Sequence, residues 1–180
     1  MPKIGQGRSL FDDTPVNGQI EKGISSNWAY DEDATLRALI EAALPWIITI
    51  NPFHKPKSQV NWDQIYLNSS MINCGMKYST GAQSASIAWD VLIPKGTWQL
   101  ELISIKDVDR GIYTVSLDGI SQGLIDGYYN TSSLNESDLI TGIQITSTAK
   151  KELKLTMATK NASASSYIGA ISALQLLRTA

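Results

Sequence analysis

The side chains best suited to bind a ligand lie close together at residues 126–133, which read Asp-Gly-Tyr-Tyr-Asn-Thr-Ser-Ser. Within this segment Tyr128 and Tyr129 offer aromatic faces, while Asp126 and Asn130 offer hydrogen-bonding groups. Aromatic faces stack on sugar rings, and amides or carboxylates bond sugar hydroxyls, so the combination predicts a glycan-binding loop. The alternative is structural: the two tyrosines cover the edge of a sheet or contact a neighbouring subunit.

The chain offers no group of residues that is typical of an active site. Cys74 is the single cysteine, and His54, the single histidine, lies in a proline-rich segment without an obvious partner. A nucleophile needs a positioned base beside it, and a glycosidase needs two carboxylates roughly 5–9.5 Å apart across a cleft. We therefore predict a protein that is not an enzyme, with no catalytic residues, no metal ligands and no cofactor.

The composition is that of a folded chain, with 43% hydrophobic and 18% charged residues among 180. The net charge of -2 supplies no basic patch for a phosphate backbone, so we predict that nucleic acid is not a partner. The N-terminal sequence lacks the apolar core of a signal peptide, and no apolar stretch approaches the roughly 20 residues of a membrane span. We expect synthesis in the cytoplasm and no membrane insertion.

Three segments alternate between apolar and polar residues with the period of a β-strand. They run from Ile87 to Ile93, from Tyr113 to Leu117 and from Lys151 to Met157. Two sheets that bury the apolar faces of such strands against each other form an antiparallel sandwich. The residues predicted inside it are Trp89, Val91, Trp98, Leu100, Val115, Leu117, Leu153 and Leu155. Asp118 and Gly119 together give a hairpin signal.

The first part of the chain has a different character. Residues 1–24 contain scattered glycine and proline and show no sustained period, which predicts an extended arm. From Asp31 to Leu44 the apolar residues Leu36, Leu39 and Ile40 fall on one side of a short helix. A helix of this length needs a surface to dock on, since isolated helices shorter than about 12–15 residues are marginal in water.

A proline-rich segment follows this helix and marks the predicted division of the chain. Prolines at positions 52 and 56 forbid helix and favour a rigid link. We therefore expect an attachment region at residues 1–56 and a β-sandwich head at residues 57–180.

The order of strands and turns from Trp89 to Arg178 resembles the galactose-binding-like jelly roll of carbohydrate-binding modules and of many virion fibre heads. The resemblance implies a mainly β fold. It also makes a structural calcium ion a candidate, because such folds often hold one through loop carbonyls and one or two carboxylates. The candidate carboxylates are Asp107, Asp109, Asp118 and Asp126, and turn formation explains the same residues without a metal.

A second resemblance lies in the segment Gly-Ile-Ser-Ser-Asn-Trp-Ala at residues 23–29. It is similar to a segment of tailed-bacteriophage fibre and virion-surface proteins, where a glycine-rich arm leads into the fibre body. Some relatives continue with a histidine-rich motif, but residues 31–34 here read Asp-Glu-Asp-Ala, so no metal site is carried over. The resemblance implies a homotrimeric fibre or decoration protein on the virion surface that is bound to capsid or tail proteins. The residues expected to mediate attachment and assembly are Ile24, Trp28, Leu36, Leu39 and Ile40.

Two functions remain open from the sequence. The first is a non-enzymatic virion structural protein whose jelly-roll head projects outward and binds a host surface glycan. The alternative is a free carbohydrate-binding module, which accounts for the jelly roll but gives the N-terminal arm no role.

Overall fold

The computed structural model describes residues 47–62, 64–67, 69–70 and 75–179, and the regular elements in these residues are all β-strands. They are β1 (Ile47–Ile50), β2 (Ser58–Val60), β3 (Gln64–Leu67), β4 (Gly75–Tyr78), β5 (Ala85–Ile93), β6 (Gly96–Lys106), β7 (Gly111–Leu117), β8 (Ile120–Asp126), β9 (Ser133–Ile145), β10 (Ala149–Lys160) and β11 (Ala170–Arg178). No helix in the described part of the chain is long and apolar enough to cross a membrane. The predicted arm and the predicted helix from Asp31 to Leu44 lie outside the described residues.

The strands form two antiparallel sheets that pack face to face. The first sheet has the order β3-β4-β11-β6-β9, and β1 pairs with β11 as well. The second sheet has the order β2-β5-β10-β7-β8. From β8 onward each connection between strands crosses from one sheet to the other. The antiparallel β-sandwich expected from the alternating pattern is confirmed.

Strand β7 shows how the sequence pattern builds the core. Its residues alternate between buried and half-buried along the whole strand. The buried Val115 and Leu117 lie opposite Leu155 and Leu153 of β10, so the apolar residues of neighbouring strands share the inner face. All eight residues predicted to lie inside the sandwich are at most 7% exposed. Burial of such side chains contributes ~25 cal/mol per Å² of apolar surface, before the loss of chain entropy is subtracted.

The sandwich includes residues that the sequence pattern assigned to the attachment region. Strand β1 pairs with β11 from Ile47 opposite Leu177 to Ile50 opposite Leu174. Ile50 is buried in the core, and the prolines at positions 52 and 56 lie between two strands of the sandwich. The predicted division after residue 56 would therefore separate β1 from the sheet that it joins. A strand of four residues is too short for its alternation to distinguish it from a linker.

The two ends of the sandwich differ in how the strands are joined. One end, here named the turn end, has the short connections at residues 94–95, 118–119 and 146–148. The opposite end, here named the loop end, has the longer connections at residues 79–84, 107–110, 127–132 and 161–169. Long loops carried on a rigid sandwich are the common location of binding residues.

The Asp118-Gly119 hairpin confirms the turn that the sequence predicts. Both residues have positive φ, at 48° and 80°, which is the geometry of a two-residue turn that follows the twist of its strands. The Asp118 carboxylate also accepts hydrogen bonds from the Glu152 amide at 2.8 Å and from the Lys151 ammonium at 2.7 Å. This acidic residue therefore has a structural role at the turn end.

Candidate functional site

Three loops of the loop end are tied together by backbone hydrogen bonds. They are the β6–β7 loop (residues 107–110), the β8–β9 loop (residues 127–132) and the β10–β11 loop (residues 161–169). The Tyr129 amide donates to the Asp107 carbonyl at 3.2 Å, which joins the first two loops. The Ser165 amide donates to the Val108 carbonyl at 2.9 Å, which joins the first and the third. The three loops therefore form one connected surface.

A buried tyrosine holds the base of this surface. Tyr113 of β7 is fully buried, and its hydroxyl accepts a hydrogen bond from the Ala170 amide at 2.6 Å and donates to the Ala170 carbonyl at 2.9 Å. Burial raises the pKa of Tyr113 to about 12, so the hydroxyl stays neutral and able to donate. These bonds connect the second sheet to the first residue of β11, where the β10–β11 loop ends.

Gly127 allows the β8–β9 loop to lie directly against the β6–β7 loop. A Cβ atom at this position would lie 2.9 Å from the Cβ of Arg110 and 2.9 Å from the carbonyl oxygen of Gly111. Both distances are shorter than close-packed atoms accept, so a side chain would push the loops apart. The glycine of the Asp-Gly-Tyr-Tyr sequence therefore serves the close packing of the two loops.

Tyr129 is an exposed aromatic residue on the β8–β9 loop. Its side chain is 52% exposed, and Val108, which is 44% exposed, lies on the loop to which the Tyr129 backbone is bonded. Tyr128 is half-buried, and its backbone forms a parallel bridge with Asp107. Asn130 is exposed on the same loop. Of the two predicted stacking residues, Tyr129 thus offers the more open ring.

Asp126 holds the loops in place with both of its carboxylate oxygens. Oδ1 accepts a hydrogen bond from the Tyr128 amide at 2.9 Å. Oδ2 accepts one from the side-chain amide of Asn161 at 2.9 Å, and Asn161 belongs to the β10–β11 loop. The sequence suggested a carboxylate that bonds sugar hydroxyls, whereas the structure shows one that is already bonded to two loops.

The end of β10 and the β10–β11 loop contribute residues that the sequence did not assign to a site. Lys160 donates to the Ala164 carbonyl at 2.7 Å, and its ammonium lies 5.4 Å from the centre of the Tyr167 ring. That distance is within the range of a cation–π interaction. Residues 161–166 read Asn-Ala-Ser-Ala-Ser-Ser, which is typical of a loop and gives no sign of a binding site. The signal that could have marked it is a lone aromatic residue, Tyr167, after a run of small polar residues.

The acidic residues considered for calcium do not gather into one site. Asp118 lies at the turn end, whereas Asp107, Asp109 and Asp126 lie at the loop end. Asp107 accepts a hydrogen bond from the Val108 amide at 2.8 Å, and Asp109 pairs with the buried Arg110. Within the described ranges, no group of three or more His, Cys, Asp or Glu residues could hold a metal ion. The residues described do not fit a calcium site made by these carboxylates together.

The residues assigned to attachment and assembly are not part of the described structure. Ile24, Trp28, Leu36, Leu39 and Ile40 all precede residue 47. Their predicted role therefore stays a prediction.

The outer face of the second sheet lacks the stacking groups of the loop end. Across its middle, Ser86, Thr156 and Thr114 lie side by side on β5, β10 and β7, between Val60 on β2 and Leu124 on β8. None of these five residues is aromatic, so this row offers no ring on which a sugar could stack. A second exposed tyrosine does occur elsewhere, on edge strand β3, where Tyr66 is 48% exposed.

No protein-family model and no curated protein sequence matches this chain. Among solved structures, the fold is similar to part of a xanthan lyase from Paenibacillus, with a TM-score of 0.61 and 20% identity over 69% of this chain. The matched part is only 12% of the lyase, so this chain spans a small fraction of that enzyme.

Two binding modules match over nearly their whole length. One is the CBM36-1 domain of a multidomain xylanase from the hindgut metagenome of Trinervitermes trinervoides, with a TM-score of 0.53, 12% identity, and coverage of 74% of this chain and 98% of that one. The other is a family 6 carbohydrate-binding module from Clostridium cellulolyticum in complex with xylose, with a TM-score of 0.50, 14% identity, and coverage of 71% and 94%. At these identities the likeness establishes the fold, and the expected resemblance to the jelly roll of carbohydrate-binding modules is confirmed. The comparisons lend no support to a virion role.

Proposed function

We propose that this chain is a non-catalytic glycan-binding domain and that it binds sugar at the loop end. The observation that carries the proposal is the open ring of Tyr129 on a loop fixed by backbone hydrogen bonds. The fold supports the proposal, because the xylanase domain and the Clostridium module are carbohydrate-binding modules. The structural match covers almost the whole chain of each. This function corresponds to the carbohydrate-binding module that the sequence left as the alternative.

The loop end suits a sugar for physical reasons. A pyranose ring presents apolar C–H groups that pack on the face of Tyr129. The exposed amide of Asn130 bonds sugar hydroxyls. Because the loops are already held in place, binding costs little ordering of the chain.

The expected affinity for one domain is low. A single stacking ring with a few hydrogen bonds supports a dissociation constant on the order of millimolar to micromolar. Several domains that engage one polysaccharide would raise the avidity without any new contact.

The proposal is tested with immobilised xylo-, manno- and gluco-oligosaccharides. We expect the unmodified protein to be retained by at least one of them and Tyr129→Ala to lose about tenfold in affinity. The matched control is Tyr66→Ala, which removes a ring of similar exposure from β3 and should leave affinity unchanged. Both variants should unfold within a few degrees of the unmodified protein, because both tyrosines are about half exposed.

Three outcomes would count against the proposal. Full binding by Tyr129→Ala would move the site away from the loop end. Failure of the unmodified protein to bind any of the sugars would remove the proposed function. Release of reducing sugars from a polysaccharide by the purified protein would overturn the non-catalytic assignment.

We further propose a virion setting for this binding, which rests on the N-terminal motif that contains Ile24 and Trp28. In that setting the protein is a fibre or decoration protein on the virion surface, trimeric through its N-terminal region and in contact with capsid or tail proteins. Sedimentation of the full chain should then give three times the chain mass of 19.6 kDa. A monomer at micromolar concentration would contradict the trimer.

A further inference from the structure

We propose that Asp126 and Asn161 form a clamp that positions the stacking loop, and that the Asp126 carboxylate does not contact sugar. The inference rests on the proposed function of the loop end and assigns these two residues a role within it. Asp126 is the last residue of β8, and Asn161 is the first residue of the β10–β11 loop. Their side chains join at 2.9 Å although the residues are 35 positions apart.

The clamp closes a ring of three loops. The Tyr129 amide bonds the Asp107 carbonyl and thereby joins the β8–β9 loop to the β6–β7 loop. The Ile168 amide bonds the Asp109 carbonyl at 3.2 Å and joins the β6–β7 loop to the β10–β11 loop. The bond from Asn161 to Asp126 connects the β10–β11 loop back to the start of the β8–β9 loop. Two sides of the ring are thus backbone bonds, and the third depends on side chains.

The direction of each hydrogen bond in the clamp is fixed by its partners. The Tyr128 amide can only donate, and it donates to Asp126 Oδ1 at 2.9 Å. The Ser163 amide can only donate, and it donates to Asn161 Oδ1 at 3.0 Å. Because the oxygen of the Asn161 side chain is occupied by Ser163, the group that faces residue 126 is the NH2 group of Asn161. This NH2 group needs an acceptor on residue 126. A carboxylate at position 126 satisfies both of the donors that face it.

Because the direction of each bond is fixed, Asp126→Asn alone or Asn161→Asp alone is unfavourable in every orientation of the two side chains. In Asp126→Asn, the new amide must turn its oxygen to the Tyr128 amide, so its NH2 group meets the NH2 group of Asn161. Flipping either amide only moves the conflict to a backbone N–H. In Asn161→Asp, two carboxylates face each other and repel. A buried or partly buried donor left without an acceptor costs more than a hydrogen bond normally contributes.

The exchanged pair restores every bond and is the decisive variant. In Asp126→Asn with Asn161→Asp, the Asn oxygen accepts from the Tyr128 amide and its NH2 group donates to the Asp at position 161. The other oxygen of that Asp accepts from the Ser163 amide. The exchange keeps the geometry of the clamp and moves the negative charge from position 126 to position 161. It therefore separates a positioning role from direct contact between the Asp126 carboxylate and sugar.

The test measures amide hydrogen exchange and affinity for sugar. The proteins compared are the unmodified protein, the single variants Asp126→Asn, Asn161→Asp and Asn161→Ala, and the exchanged pair. Each single variant loses the bond between positions 161 and 126, so the β8–β9 loop opens more often. Hydrogen exchange of the Tyr128 amide, measured without sugar, should therefore be at least about tenfold faster in the single variants and restored in the exchanged pair. Affinity for the oligosaccharides used above should fall about tenfold in the single variants and return to within about twofold in the exchanged pair. Asn161→Ala covers the case in which the charged pair in Asn161→Asp prevents folding.

The outcomes distinguish failure of the clamp from failure of the proposed function. Unchanged exchange of the Tyr128 amide in the single variants would overturn the clamp, whether or not the protein binds sugar. Restored exchange with binding still lost in the exchanged pair would show that the Asp126 carboxylate contacts sugar and would overturn the positioning role. If no sugar binds the unmodified protein, the proposed function fails while the exchange measurement still decides the clamp.

Discussion

The turn end and the loop end belong to the same strands but use their polar side chains differently. Near the turn end, charged side chains pair with one another across the second sheet: Lys57 contacts Asp90 at 3.1 Å and Glu152 at 2.8 Å, and Lys150 contacts Asp90 at 2.8 Å. At the loop end, the Asp126 carboxylate bonds the backbone and the amide of other loops. The ion pairs near the turn end connect surface charges of neighbouring strands, whereas the Asp126 bonds at the loop end connect the loop that carries the exposed Tyr129 to another loop. Changes at the turn end should therefore alter stability alone, and changes at the loop end should alter binding.

The largest expected effect comes from breaking the core that both ends share. Leu117 is buried directly before the Asp118-Gly119 turn, so Leu117→Asp places an unpaired charge between the sheets. We expect a loss of about 4 kcal/mol or more in the free energy of unfolding, enough to prevent soluble folding. The control is Leu124→Asp, because Leu124 is 64% exposed on β8. Expression and thermal melting of the two variants check the prediction, and an unchanged melting temperature for Leu117→Asp would reject the strand phase.

A matched pair of glycine substitutions compares the two ends directly. Gly127→Ala at the loop end forces atoms apart and should cost about 1–3 kcal/mol in stability while it displaces the stacking loop. Gly119→Ala at the turn end meets no atom within 4 Å but has φ of +80°, so it should cost about 1 kcal/mol through backbone strain alone. We expect oligosaccharide binding to weaken in the first variant and to stay unchanged in the second.

Urea unfolding followed by oligosaccharide binding measures both properties in each glycine variant. Equal binding by Gly127→Ala and Gly119→Ala would remove the functional distinction between the ends.

The smallest expected effect concerns the pH dependence of stability near the turn end. Hydrogen bonds from Lys150 and Lys57 lower the pKa of Asp90, and those from Lys151 and the Glu152 amide lower the pKa of Asp118. Because both pKa values are lower in the folded protein than the ordinary 3.8, these residues stabilise the fold above that value. This stabilisation is lost as the pH falls through the lowered folded values.

Urea midpoints measured between roughly pH 2 and pH 6 check this dependence. The combined Asp90→Asn and Asp118→Asn variant should show a shallower fall in stability on acidification, and added salt should reduce the difference because the pairs lie at the surface. A profile that is identical in the variant and the unmodified protein would show that these ion pairs do not contribute.

The sequence predicts the strands well where their pattern is local. Alternation along β7 and β10 fixes which residues face inward, because a one-residue error would expose the whole apolar face. The Asp118-Gly119 turn is equally local, since its two residues alone determine the geometry. Strand β1 could not be predicted in this way, because its four residues are recognised as a strand only through their pairing with β11, which lies far along the chain.

The candidate site is predictable only in part for a similar reason. Tyr129 and Asn130 are visible as a stacking ring and a hydrogen-bonding side chain within one short loop. The function of Asp126 depends on Asn161, which the fold brings beside it from 35 residues away. A sequence pattern shows that a carboxylate is present, but not whether the fold has already supplied its hydrogen-bond donors.

The central claim is that the loop end is the glycan-binding surface. It is tested most directly by an NMR titration of the full chain with the oligosaccharide that is retained best in the immobilised-sugar assay. We predict that the amide shifts that change upon titration cluster in residues 107–110, 127–132 and 161–169, with the largest changes at Tyr129 and Asn130. Changes concentrated at residues 94–95, 118–119 and 146–148, or along the outer face of the second sheet, would contradict the account.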